Sequence, residues 1–209
     1  MERFDEIVLI GYKQATIVQD LCFLIKKNVV GSLTILDPDE FLNPGSSRNP
    51  AYLVVVTRDM SLREKVSRKL DAEEFKRFTY IDPTSVVSNT AEINSGSIVL
   101  PYSSVFSGAV LGKDCMISPY SMVSHKSILG QGVIMQPYSI VAGSSSVGSW
   151  SRMNVRSTVL DHIDVVEYCE IGASSTVTKN IIESGRYLGS PARKWKKTHN
   201  DSTPPLHIS

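Results

Sequence analysis

Two residues a fixed distance apart carry the first chemical suggestion in this 209-residue chain. His125 sits in the run Val123-Ser124-His125-Lys126-Ser127, and Gly143 follows eighteen positions later. An imidazole titrates near neutrality and is the commonest general base. A glycine lets a reacting carbonyl come close to the backbone. A lone histidine is more often incidental than catalytic, and the spacing alone leaves both readings open. A second set lies near the N-terminus. Gly11-Tyr12-Lys13 follows a short apolar run, where a helix start and a cation could meet a diphosphate. Asp37, Asp39 and Glu40 follow the next apolar run and could accept hydrogen bonds from a ribose or a base. The turn holds one glycine, so the full dinucleotide fingerprint is absent. Gly11 as a tight turn and the acids as a solvated loop remain the alternative. Cys22, Cys115 and Cys169 share no metal-ligand spacing, and no metal site is expected.

The elements that would hold His125 and Gly143 are set by a period of six. Every sixth residue from Ile81 to Val177 is aliphatic or Met, seventeen in succession. Four residues after each of the first sixteen stands a small residue, except for Val133 and Ile163. Six matches neither the α-helical period nor a simple strand. It matches a solenoid with flat faces, one hexapeptide to a face, and three hexads close a triangular coil of eighteen residues. Stacked coils lie about 4.8 Å apart as parallel strands. Eighteen residues therefore place Gly143 directly over His125. Cys115 and Cys169 fall on the small inward position and read as core residues. A β-sandwich would need turn signals at irregular spacing instead. Met116, Met122, Ile128 and Ile140 each precede an inward residue, so alternation points them outward, and they are too apolar for a solvated face.

Residues 1–79 alternate β and α patterns. Strands are expected at Glu6–Gly11, Ser32–Leu36 and Tyr52–Val56. Helices are expected at Lys13–Lys27 and Ser61–Leu70, the latter opened by a Ser61/Glu64 capping box. Phe41–Pro50 reads as loop. The result is a small Rossmann-like parallel sheet that would bind its ligand at the carboxyl ends of its strands. After Val177 the hexads stop, and Arg186–Lys197 reads as a cap on the last coil. Residues 198–209 read as a disordered tail.

The net charge of +1 gives no field to recruit nucleic acid. No apolar run approaches eighteen residues, so no membrane span is expected. Met1-Glu2-Arg3-Phe4-Asp5 lacks the pattern of a signal peptide, and the expected setting is the reducing cytoplasm.

The whole chain resembles the family of sialic-acid O-acetyltransferases and bacillosamine-pathway N-acetyltransferases, sugar-nucleotide enzymes of the hexapeptide-repeat superfamily. The resemblance rests on the hexads, on Val123–Gly130, on Val141-Ala142-Gly143, and on Ile171-Gly172-Ala173 with Val177-Thr178-Lys179-Asn180. It also rests on the closing Gly189-Ser190-Pro191-Ala192-Arg193 and on Val55–Arg63. It implies a left-handed parallel β-helix over 80–197 after a nucleotide-sugar-binding domain over 1–79. It further implies His125 as general base and the Gly143 amide as oxyanion holder. Acetyl-CoA would be the acyl donor, contacted by Gly143, Arg186, Gly189 and Arg193. A nucleotide-activated sugar would be bound through Gly11, Lys13, Asp37, Asp39 and Ser118. A homotrimer would have its sites between neighbouring prisms.

This chain departs from the family pattern in three places. Lys126 stands where the family has Asp or Glu after its histidine. Ser118-Pro119 replaces an Asn-Thr pair, and Ile134 replaces a second histidine of the bacillosamine enzymes.

The expected function is acetyl-CoA-dependent acylation of the amino group of a nucleotide-linked amino or deoxy sugar, in polysaccharide biosynthesis. The alternatives are O-acetylation of a sialic-acid-like sugar, or a non-catalytic scaffold trimer that has lost activity through changes such as Lys126. A γ-carbonic anhydrase would need three zinc histidines, and the prism holds only His125 and His162.

Overall fold

The computed structural model describes residues 5–28, 32–43, 50–57 and 59–196. The N-terminal part forms β1 (Glu6–Ile10), α1 (Thr16–Asn28), β2 (Ser32–Leu36), α2 (Pro38–Leu42), β3 (Ala51–Val54) and α3 (Met60–Ala72). The three strands make one parallel sheet in the order β2-β1-β3, with Ile7 opposite Leu33 and Ala51. Ile7, Leu9, Ala51 and Leu53 bury one face with α1, while Val8, Ile10, Tyr52 and Val54 bury the other with α2 and α3.

Local chemistry moved several boundaries. Lys13 and Gln14 form a turn, closed by the Ala15 amide on the Tyr12 carbonyl at 2.9 Å, so α1 begins at Thr16. The acidic stretch is a helix start rather than a free loop. Asp37 caps α2 by accepting from the Asp39 amide at 3.0 Å, and Pro38 occupies the first turn. Phe41, expected in a loop, is buried against Tyr52 and Phe75 with ring centroids 5.2 and 5.7 Å away. The cap of α3 is Asp59, whose carboxylate accepts from the Leu62 amide at 2.9 Å, and not Ser61. An ionised acceptor suits the positive end of a helix better than a hydroxyl. Glu64 takes Arg68 and the Tyr168 hydroxyl in place of the expected capping box. The expectations for residues 44–49, for Lys197 and for 198–209 lie outside the described residues.

From Tyr80 to Val177 the chain is a parallel β-solenoid of about six coils, with one short strand for each of the seventeen hexads. The first face carries Ile98–Val99, Met116–Ile117, Ile134–Met135 and Arg152–Met153. The second carries Ser104–Val105, Met122–Val123, Ile140–Val141, Thr158–Val159 and Thr176–Val177. The third carries Val110–Leu111, Ile128–Leu129, Ser146–Val147 and Asp164–Val165. Pairing joins residues eighteen apart throughout these faces.

The inward aliphatics from Val99 to Val177 are all buried, whereas Ile81, Val87 and Ile93 of the first coil are only half-buried. Serine recurs at the small position because its hydroxyl reaches a carbonyl of the next coil. Ser121 donates to Gln136 O at 2.9 Å, Ser127 to Ala142 O at 2.8 Å and Ser145 to Leu160 O at 2.7 Å. Cys115 takes the same place, with its Sγ 3.1 Å from Gly130 O, and burial pushes its thiol up to about 12. That environment keeps the thiol protonated and inert.

The α/β unit covers the first face. Val18, Leu21 and Ile25 of α1 share one apolar cluster with Ile98, Leu100, Met116 and Ile134. Met116, expected on a self-association surface, is 1% exposed and belongs to this intrachain contact. Alternation put it correctly on the outside of the prism, and the α/β unit then buried it. A charged network stitches the same junction. The fully buried Arg63 donates to Val54 O at 2.9 Å, to Val56 O at 3.0 Å and to Asp114 O. The Asp114 carboxylate takes Arg77 Nε at 3.0 Å and the Ser67 hydroxyl. Asp71 pairs with Arg77 at 3.1 Å and with Lys113 at 2.9 Å.

At the far end, Gly185–Leu188 pairs in parallel with Cys169–Ile171, and Arg193–Lys194 folds back antiparallel onto it. The Thr176 amide donates to Gly189 O at 3.0 Å, and the Ala192 amide donates to Thr176 O at 2.7 Å. Residues 189–192 thus lie across the end of the second face.

Candidate functional site

His125 occupies the turn between the second and third faces. The Ser124 amide donates to Val141 O at 2.9 Å, the Lys126 amide to Ser107 O at 2.9 Å and the Ser144 amide to His125 O at 2.9 Å, so the turn is tied to both neighbouring coils. The His125 side chain is exposed, and its ring lies against Gly143. A β-carbon on that glycine would stand 2.5 Å from Nε2 and 3.0 Å from Nδ1. The backbone of Gly143 does not need a positive φ, so glycine serves there to leave room for the ring. Its carbonyl accepts from the His162 amide at 3.1 Å. Among the described residues no backbone carbonyl takes the Gly143 N–H. An imidazole and a backbone N–H that no backbone carbonyl takes thus meet on one corner. That pair can remove a proton and hold a developing oxyanion.

The residue after His125 is Lys126, exposed and in the left-handed region at φ 56°. Among the described residues eleven other non-glycine residues share that conformation, including Tyr102, Tyr120, Tyr138 and Arg156 at a neighbouring corner. Those four form a column. Tyr102 stacks on Tyr120 with centroids 5.2 Å apart, Tyr120 on Tyr138 at 5.0 Å, and Arg156 lies over Tyr138 at 5.7 Å. The column was not expected. Its signal was in the sequence, as Pro-Tyr-Ser recurring at 101, 119 and 137.

Ser118 lies at that same corner, between the first and second faces, nearly buried. It lines a cleft of about 460 Å³ between α1 and the prism, together with Ile17, Phe23, Thr57, Gln136 and Pro137. The cleft was also missed, because it exists only once α1 is docked on the prism.

Gly11, Lys13, Asp37 and Asp39 gather at the carboxyl edge of the β2-β1-β3 sheet. A β-carbon on Gly11 would meet Val18 Cγ2 at 2.8 Å, so this glycine is required for the packing of α1. Tyr12 sits among three carboxylates. Burial first, then Asp39, Asp37 and Asp59, raise its phenol above the ordinary range. One oxygen of Asp37 is committed to capping α2, while Lys13 and Asp39 are exposed.

The candidate donor residues separate. Gly189, at φ 98°, gives its amide to Ser175 Oγ at 2.9 Å and lies at the end of the second face, whereas Arg193 pairs with Leu188 at the edge of the first-face sheet. Arg186 is on the first face, bonded to Glu170 at 2.9 Å and stacked on Trp195 at 5.4 Å. It is therefore away from His125, on the opposite side of the prism. Within one chain the second face divides the His125–Gly143 corner from the Ser118 corner.

No family model and no curated protein matches the chain. Solved structures do match it. A mutant of perosamine N-acetyltransferase from Caulobacter crescentus, in complex with CoA and GDP-perosamine, has a TM-score of 0.77 at 20% identity. The match covers 92% of this chain and 97% of that one. The acetyltransferase domain of PglB from Neisseria gonorrhoeae FA1090 has a TM-score of 0.82 at 20% identity, over 91% of this chain and 100% of that one. WeeI from Acinetobacter baumannii AYE has a TM-score of 0.63 at 16% identity, over 90% and 98%. At these identities the likeness is one of fold.

Proposed function

We propose that the chain is an acetyl-CoA-dependent acyltransferase that acetylates the amino group of a nucleotide-linked amino or deoxy sugar by direct transfer. The observation that carries this reading is the His125 ring resting against Gly143, whose N–H no backbone carbonyl takes among the described residues. The sugar amine attacks the thioester carbonyl, a C–N bond forms, and the carbonyl oxygen becomes an oxyanion beside the Gly143 N–H. His125 accepts the amine proton as the bond forms. The C–S bond then breaks, and the same imidazole returns the proton to the leaving thiolate, so no covalent enzyme intermediate is needed.

The neighbours' complexes with CoA and GDP-perosamine, and a PglB domain complex with acetyl coenzyme A, agree in kind with this chemistry. The residues of this chain fit such a donor along the second face, with Gly143 at one end and Gly189 at the other, where Arg193 follows at the adjoining edge of the first face. Arg186 fits it poorly, because Glu170 already neutralises it.

The left-handed coil, the Rossmann-like character of residues 1–79 and a cytoplasmic role in polysaccharide biosynthesis belong to the same reading. So does a trimer. Ser118 and the carboxyl-edge residues would hold the acceptor on one copy, and the His125 corner of a second copy would complete the site. Ile128, 52% exposed, and the half-buried Met122 and Ile140 give that contact its apolar surface. The scaffold alternative draws on Lys126, which puts a cation where an orienting carboxylate would serve the ring better.

A thiol-release assay with acetyl-CoA and a panel of UDP-, dTDP- and GDP-4-amino-sugars tests the reading, run beside His125→Ala. Release with one sugar that is lost in the variant establishes N-acyl transfer. Release only with hydroxyl acceptors moves the reading to O-acetylation. No release and no binding of CoA leaves the scaffold.

A further inference from the structure

Next to His125 and Gly143, the second face carries a column formed by residues 106, 124, 142 and 160. The backbone ladder holds it in register. The amides of Phe106, Ser124, Ala142 and Leu160 donate to Val123, Val141, Val159 and Val177 at 2.9, 2.9, 2.9 and 3.1 Å. The column reads Phe-Ser-Ala-Leu. Its two small members stand directly beside His125 and Gly143, and a bulky apolar side chain ends it in each direction. Phe106 and Leu160 are each 39% exposed, so neither is needed by the core. Met122 and Ile140 flank the small pair along the face, in register with each other. A recess floored by serine and alanine, walled by apolar groups, therefore adjoins the candidate base and the Gly143 amide.

The recess also has a direction. Gly189 and Ala192 end the same face beyond Leu160, through their hydrogen bonds with Thr176, and Arg193 follows at the adjoining edge of the first-face sheet. A donor whose anionic end is held there runs past Leu160 and brings its carbonyl to Gly143. Its acyl tail then points along the axis at Ser124 and Phe106.

We propose that Phe106 is the stop that sets the length of the acyl group this protein accepts, a short chain and not one of six carbons or more. This rests on the acyl-transfer reading and adds to it the residue that chooses the donor. Phe106 stands two coils, about 9.6 Å, from the level of Gly143, so a two-carbon group stays clear of it and an extended six-carbon chain brings its methyl into contact with the ring.

The test needs no acceptor. Dissociation constants for CoA, acetyl-CoA and hexanoyl-CoA are measured by calorimetry on the wild-type protein, Phe106→Ala and Leu160→Ala. One methylene in a fitted pocket already discriminates by about tenfold or more. Wild-type protein should bind hexanoyl-CoA at least about tenfold more weakly than acetyl-CoA. Phe106→Ala should bring the two within about threefold while leaving acetyl-CoA binding nearly unchanged, a residual well below that one-methylene discrimination. Leu160→Ala should weaken both alike. Equal binding of both donors by wild-type protein overturns the inference. So does an unchanged ratio in Phe106→Ala that still binds acetyl-CoA, or a ratio relaxed by Leu160→Ala instead. In each of those results acetyl-CoA binding survives, and the acyl-transfer reading with it. Failure of wild-type protein to bind any of the three ligands overturns both.

Discussion

The imidazole of His125 lies over the α-carbon of Gly143, with Nε2 2.5 Å from where a β-carbon of that residue would be. The two are one coil apart and belong to the same corner of the prism. Ring orientation and amide access are therefore one property, set by the absence of a side chain.

Gly143→Ala should separate chemistry from folding. The backbone there admits alanine, and the new methyl meets only the exposed ring, which can turn away into solvent. Transfer should fall by about a hundredfold or more, the scale of an oxyanion donor put out of reach together with a misplaced base. The melting temperature should stay within a few degrees. A variant of full activity would remove both residues from the mechanism.

The junction of the α/β unit with the prism should depend on Asp114. Its carboxylate is fully buried and holds Arg77 and Ser67, while Arg63 lies beside it on the backbone carbonyl. Asp114→Ala removes the buried carboxylate beside Arg63 and leaves Arg77 with Asp71 alone. It should cost about 3–5 kcal/mol, read from urea unfolding. Asp161→Ala, on the exposed side of the prism, should cost less than about 0.5 kcal/mol.

Asp71 ties part of that network to pH. Burial by itself would raise its carboxyl. Hydrogen bonds from Lys113 and Gln131, with the charges of Arg77 and Lys113, outweigh burial and hold it below the ordinary carboxylate value. A lowered folded-state value means stability that is present above the unfolded-state value of about 3.9 and is lost as pH falls through the folded one. Melting curves from pH 6 to pH 3 should show wild-type protein above Asp71→Asn at the upper end. The two should converge at the lower end, and a constant gap would contradict the linkage.

The tyrosine column should be coupled pairwise. Aromatic contacts of this kind contribute about 0.5–1.5 kcal/mol beyond buried area. A double-mutant cycle between Tyr102 and Tyr120 should return a value in that range, and one between Tyr102 and Tyr138, which do not touch, should return about zero. Coupling between the outer pair would mean that the column yields as a unit.

Sedimentation should find a trimer at micromolar concentration, and Ile128→Glu should shift it toward monomer. A wild-type monomer would leave the Ser118 and His125 corners without a route to one another.

Much of this was legible by counting. Val123 over Val141, and hence His125 over Gly143, follows from the period alone, as does the small inward residue at most corners. Counting gives the side of a strand on which a residue lies, and no more. It could not say that α1 would cover Met116, or that Asp114 would be sealed beneath α3, because those facts belong to the docking of two units. Asp37 and Asp59 were visible as acids, but their capping roles depended on where the helices began. The Pro-Tyr-Ser column needed only the period applied to outward positions. The pairing of Arg186 with Glu170 was hidden because Glu170 lies sixteen residues earlier, and the last coil breaks the eighteen-residue register there.

The unbroken hexads make the separation between reactive groups a quantised one. A single residue added between His125 and Gly143 would throw every later aliphatic out of phase and undo the core. Six added residues would restore the phase and still carry the glycine a third of the way round, to a different corner. Eighteen would return it to the right corner with a foreign rung in between. Homologous insertions can therefore lengthen this molecule by whole coils above or below the pair, but not between its members. The pair travels as an indivisible unit of the repeat.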